Sequence, residues 1–298
     1  MDLRARLASI ALVTLALVFS GAGIAREKPA ARQQDALRAT PVVAQQGMVV
    51  TQEKQASRIG ADILAKGGNA VDAAVAVGFA LAVTLPRAGN LGGGGFMVLR
   101  RAETGENIAI DYRETAPAAA TPDMFLDADG KADPEKSRDS ALAVGVPGTV
   151  AGLALAHERY GSGRFTLAEL IAPAVRLARE GVPVEGDLLD SLLLAMPRLQ
   201  RWPSTAPIFA KPDAATWKEG DRLVQADLAS ALETIGREGP RAFYIGPIAD
   251  AIVSTVREAG GRMTRGDLER YQPIIREPVR GAYRGYEIIS MPPPSSAR

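Results

Sequence analysis

The chain has 298 residues, with 35 Lys+Arg against 34 Asp+Glu, one His and no Cys. That length supports a sizeable core in one large or two ordinary domains, and the near-zero net charge gives no sign of a nucleic-acid or anionic-membrane partner. The absence of thiols excludes a cysteine nucleophile, disulfides and thiolate metal sites, and the single His157 excludes a multi-histidine centre.

Arg4 and Arg6, an apolar run over 7–19 and the small residues of 21–25 have the layout of a cleavable export signal. The run is short of the roughly 20 residues needed to cross a bilayer, so cleavage after Ala25 is expected rather than an uncleaved anchor. Residues 1–25 then form the signal, and the mature protein is expected to be periplasmic or secreted, with no membrane attachment. Residues 26–46 mix Pro, Gln, Ala and charges without periodicity and read as a flexible linker.

Order is expected from Gly47, with a short strand over 47–51. Ile59, Ile63 and Leu64 at helical spacing predict a helix over 55–66, stopped by Gly67-Gly68. Asn69 then caps a second helix reaching about Val83, apolar nearly all round and therefore interior. After the glycine cluster 92–95, residues 96–100 and 107–112 predict a hairpin turning at 103–106. Its return strand puts Ile108, Ile110 and Tyr112 on one face and Ala109, Asp111 and Arg113 on the other. Pro147-Gly148 opens a helix to about Tyr160. Thr166 and Glu169 have capping-box spacing ahead of a helix over 167–180 that Gly181 ends. Helices are further expected over 188–196, 226–237, 247–259 and 267–270, and strands over 280–283 and 286–290.

Three features carry chemistry. The glycines of 92–95 lack the Lys-Ser/Thr pair and the following helix of a phosphate loop, so tight backbone packing is the better reading. His157 stands near a helix end among charges, with no paired nucleophile, as a solvated residue or one interacting with the helix C-terminus. Arg113 ends a strand between Asp111 and Glu114. It can present two parallel N–H groups to a carboxylate, or form a salt bridge with either neighbour.

Five motifs resemble, in order, the gamma-glutamyltransferases, the glutathione hydrolases of the N-terminal-nucleophile class. They are Gly67-Gly68-Asn69-Ala70-Val71-Asp72-Ala73-Ala74-Val75-Ala76, the cluster of 92–96, Asp111-Tyr112-Arg113-Glu114 with Ala116-Pro117, residues 145–152, and Met291-Pro292-Pro293-Pro294-Ser295-Ser296. The resemblance implies an α+β fold, the αββα four-layer sandwich, incomplete in this chain. It implies a precursor that cuts itself into a large and a small subunit, the latter beginning with a threonine nucleophile whose α-amino group, with a pKa of about 7.7–8.0, serves as base. The substrates implied are glutathione and other gamma-glutamyl compounds, with water, amino acids or dipeptides as acceptors. No cofactor or metal is implied. Arg113 matches the large-subunit arginine that grips the donor's α-carboxylate.

The sequence departs from the family where the proline-serine motif is followed by Ala297-Arg298 instead of two glycines. None of its threonines has the family's processing context, and Thr149 reads as a helix-start residue. Residues 47–298 are therefore expected to be a large-subunit region truncated before the processing site, with the nucleophile beyond Arg298. This chain alone is expected to be inactive, with an exposed edge at the strand 286–290. The alternatives are a related cephalosporin or poly-gamma-glutamate acylase, or a non-catalytic periplasmic binding protein.

Overall fold

The structure is a computed structural model that describes residues 41–211 and 215–296. The expected signal and most of the expected linker lie outside the described residues. The chain divides into two units, Met1–Gln46 and Gly47–Arg298, and the second carries all the elements below.

Helix α1 (Lys54–Ala65) begins where the Glu53 carboxylate accepts the N–H groups of Gln55 and Ala56. It stops at Gly67, whose φ of 87° is open to glycine at little cost. The N–H groups of Gly67 and Gly68 return to the carbonyls of Leu64 and Ile63, the bond pattern that closes a helix C-terminus. Helix α2 (Ala70–Thr84) follows from a reciprocal cap. Asn69 Oδ1 accepts from Val71 and Asp72, and the Asp72 carboxylate accepts from the Asn69 N–H. Its small apolar side chains are buried on nearly every side, as Val75, Ala76, Phe79 and Val83 show.

Burying Asp72 would be costly without partners, and its carboxylate also accepts the Ser162 N–H. The Asn69 amide meanwhile donates to the Tyr160 carbonyl at 2.7 Å. These two residues thus tie the start of α2 to the end of helix α4 (Thr149–Tyr160). Between them in sequence lie the hairpin strands β1 (Phe96–Arg100) and β2 (Asn107–Asp111), and a short helix α3 (Pro134–Arg138).

Helix α5 (Leu167–Glu180) packs across α2 and carries the expected Thr166/Glu169 capping box. The chain continues through β3 (Val182–Pro183), α6 (Gly186–Leu199), α7 (Ala206–Phe209) and β4 (Arg222–Leu223). Helix α8 (Ala226–Glu238) then lies along α5, where Leu232 and Ile235 meet Leu170 and Ile171 in one continuous core. Helices α9 (Arg241–Tyr244), α10 (Pro247–Glu258) and α11 (Arg265–Arg270) lead to β5 (Ile274–Arg276), β6 (Val279–Tyr283) and β7 (Tyr286–Ser290).

The main sheet is antiparallel in the order β1-β2-β5, with Phe96 opposite Asp111 and Asp111 opposite Ile274. Central β2 is buried on both faces, which explains why Ala109 and Asp111 are as enclosed as Ile108 and Ile110. Strands β6 and β7 pair only with each other among the described strands, and Val279, Tyr283, Tyr286 and Ile288 are exposed. The strand expected over 47–51 is not formed. Those residues find no partner strand among the described residues, and Val50 is 80% exposed. An extended segment becomes a strand only when its N–H and C=O groups join a ladder.

Candidate functional site

Arg113 follows the last residue of β2. The ladder with β1 runs one pair beyond the strands, because Tyr112 and Gly95 exchange N–H···O=C bonds of 3.0 and 3.2 Å. The Arg113 N–H then donates to Asp111 Oδ1 at 3.1 Å, while Asp111 Oδ2 accepts from Arg276 Nε on β5 at 2.8 Å. Asp111 is buried, so its charge is balanced inside the sheet by Arg276. The Arg113 carbonyl accepts from the Tyr271 hydroxyl at 2.9 Å.

The exposed Arg113 guanidinium donates through Nη1 to the Pro294 carbonyl at 3.0 Å. Neither Asp111 nor Glu114 forms an ion pair with it, so the salt-bridge alternative is not what the structure shows among the described residues. A charged donor resting on one neutral carbonyl at the surface can exchange that contact for a carboxylate, which accepts charge-assisted bonds roughly twice as strong.

The glycine cluster beside it is packed, as expected. The Gly93 carbonyl accepts from the N–H groups of Gly148 and Thr149, at 2.7 and 3.1 Å, the first donors of α4. Asn90 Oδ1 accepts from Gly93 N–H and from the Thr149 hydroxyl, each at 2.8 Å. Thr149 is thus a helix-start residue with its hydroxyl engaged, and these α4 amides are not free to cradle a phosphate. A Cβ on Gly94 would lie 2.5 Å from the Tyr112 carbonyl oxygen, so the loop can approach β2 only as glycine.

Tyr271 and Tyr244 stack with ring centroids 5.8 Å apart and planes 5° from parallel. The Tyr244 hydroxyl donates to the Pro147 carbonyl and accepts the Ala151 N–H, anchoring the stack to the start of α4. Burial raises both phenol pKa values above their ordinary range, keeping the two hydroxyls protonated as donors. The 850 Å³ groove between α4, α9 and β5 is lined by Leu155, Tyr244, Tyr271 and Ile275, and Arg113 is not part of its wall.

His157 lies in the last turn of α4, as one of its two expected readings has it. It is half-buried, and its Nε2 is 2.8 Å from the Phe165 carbonyl, bracing the loop after α4 rather than standing in solvent. Among the described residues no group of three His, Cys, Asp or Glu is placed to hold a metal ion, and no helix is long and apolar enough to cross a membrane. Sequence reasoning singles out Arg113 and does not reach Tyr271, Arg276 or the Pro294 carbonyl, which the structure places around it. Asp111, expected as a possible ion-pair partner of the Arg113 side chain, instead accepts the Arg113 backbone N–H and pairs with Arg276. The contacts of Tyr271 and Arg276 span 158 and 165 residues, and no local pattern marks them.

Residues 56–298 match the family model for gamma-glutamyltranspeptidase. The chain is 51% identical over 257 residues to the glutathione hydrolase proenzyme of Escherichia coli (strain K12), covering 86% of this chain and 44% of that protein. It is 46% identical over 255 residues to the glutathione hydrolase proenzyme of Bacillus subtilis (strain 168), covering 85% and 43%. Among solved structures it resembles the Helicobacter pylori gamma-glutamyltranspeptidase at 45% identity and a TM-score of 0.83, covering 86% of this chain and 73% of that one. It shares the α+β fold of that structure. The chain spans less than half the length of these two proenzymes.

Proposed function

The chain belongs to the gamma-glutamyltranspeptidase family, and from that premise we propose that the whole protein cleaves gamma-glutamyl amides such as glutathione. The gamma-glutamyl group passes to water or to an amino acid or dipeptide acceptor. The present residues hold the donor, and the nucleophile comes from a partner subunit cut from the same precursor. The observation that carries this reading is the exposed Arg113 guanidinium, fixed at a strand end and bonded to a neutral carbonyl rather than a carboxylate.

In this mechanism Arg113 exchanges the Pro294 carbonyl for the donor's α-carboxylate, which orients the gamma-amide. A threonine hydroxyl of the small subunit adds to the amide carbon and gives its proton to the threonine's own α-amino group. That ammonium protonates the departing amine as the C–N bond breaks, leaving an ester. Water or an acceptor amine then attacks the ester, and the hydroxyl recovers its proton. The export segment over 1–25 would deliver the protein to the periplasm or the medium, where gamma-glutamyl compounds are substrates.

The test is Arg113→Ala in the full-length precursor. Loss of a charge-assisted contact should raise KM for glutathione about 10- to 100-fold while kcat changes far less. An unchanged KM would point to an acylase-like site with another anchor.

A further inference from the structure

The Arg113 backbone is held on both sides by groups from one distant segment. Residues 271–276 supply Tyr271, whose hydroxyl donates to the Arg113 carbonyl, and Arg276, whose guanidinium fixes the Asp111 carboxylate that accepts the Arg113 N–H. A side chain leaves the backbone in a direction set by the two peptide planes that flank its Cα. With the N–H and the C=O both hydrogen-bonded, those planes are fixed, and the long Arg113 side chain starts from a defined direction.

We infer that Tyr271 and Asp111 are positioning residues that aim the Arg113 guanidinium at the donor's α-carboxylate. The inference rests on the binding role given to Arg113 above. Tyr271 is itself held tightly. Its ring lies on Tyr244, and its hydroxyl fills space that any side chain at position 148 would occupy, a Cβ there falling 2.0 Å from Tyr271 Oη. The hydroxyl therefore has a fixed place as well as a fixed acceptor. Asp111 is equally confined, buried and shared between Arg276 and the Arg113 N–H.

Preorganisation of this kind acts on binding of the group that Arg113 touches and leaves the bond-breaking step alone. Tyr271→Phe keeps the ring and its stack and removes only the hydroxyl, so it is the decisive variant. In the full-length precursor it should raise KM for glutathione about five- to tenfold with kcat within about twofold of wild type. Asp111→Asn, which weakens the bond to Arg276, should act in the same direction. Against a donor amide that lacks the α-carboxylate, a gamma-aminobutyryl amide, wild type and Tyr271→Phe should be equally poor.

Equal losses against both donors, with a fall in Tm, would make Tyr271 a packing residue and overturn the inference. A wild-type KM for glutathione in Tyr271→Phe and Asp111→Asn, with a raised KM in Arg113→Ala, would overturn it while the reading of Arg113 stands. A wild-type KM in Arg113→Ala would remove that reading and the inference with it.

Discussion

Gly152 is the fourth residue of α4, facing Tyr112 across the helix–sheet boundary. In an exposed helix interior, replacing glycine by alanine stabilises by roughly 0.5–1 kcal/mol, because the unfolded backbone loses freedom. Here a Cβ would fall 2.1 Å from Tyr112 Cγ, 2.3 Å from its Cβ and 2.6 Å from its Cδ1, far inside ordinary van der Waals contact. Tyr112 cannot swing away cheaply, since its N–H and C=O are both paired with Gly95. Overpacking of this kind costs about 1–3 kcal/mol, and contact with three side-chain atoms puts it at the upper end. The overlap outweighs the propensity gain, for a net loss near 2 kcal/mol and a fall in Tm of roughly 4–8 °C. Gly236→Ala in α8 is the matched control. Its new Cβ would lie 3.3 Å from Ala168 Cα, so the cost and the gain nearly cancel, with a change within about 0.5 kcal/mol. Chemical denaturation of the chain and both variants measures this. A Gly152→Ala protein as stable as wild type, or shifted only as much as Gly236→Ala, would refute the packing argument.

Three further expectations follow from the same contacts. Asn69→Ala removes the cap of α2 and the bond to the Tyr160 carbonyl, and should cost about 1–2 kcal/mol in urea unfolding. Asp267 is buried, which alone would raise its pKa. The Thr264 hydroxyl, the Ala118 and Thr264 N–H groups and Arg270 outweigh that and hold it below the ordinary carboxylate value. A depressed folded pKa contributes stability that is complete above the unfolded value of about 3.9 and is lost as pH falls through the folded one. The Tm gap between wild type and Asp267→Asn should therefore be widest near neutrality and shrink toward pH 3, and a gap that widens on acidification would contradict this. N-terminal sequencing of the exported protein should begin at Arg26, and a retained Met1 would overturn cleavage after Ala25 in favour of an uncleaved anchor.

Elements governed by short sequence range were readable in advance. The Asn69 cap and the Thr166/Glu169 box are each closed within three residues of chain, and the structure forms both. The hairpin of β1 and β2 was readable from alternation and its turn, and α2 from the absence of any polar stripe. The two-residue strands β3 and β4 and the four-residue helices α7 and α9 are too short to show a period. Strand β5 exists because it pairs with β2, far away in sequence. The candidate site divides in the same way. Arg113 stood out because a charge at a strand end is a local feature. Tyr271 and Arg276 reach it from the far end of the sequence, and the Pro294 contact comes from a backbone carbonyl, which no residue type announces.

The central claim is that Arg113 binds the carboxylate of a gamma-glutamyl donor. A crystal structure of the full-length processed protein with bound L-glutamate tests it most directly. The account predicts two guanidinium N–H groups of Arg113 on the α-carboxylate, at about 2.7–2.9 Å, with the Pro294 contact exchanged. Glutamate bound elsewhere, with Arg113 still donating to Pro294, would contradict it.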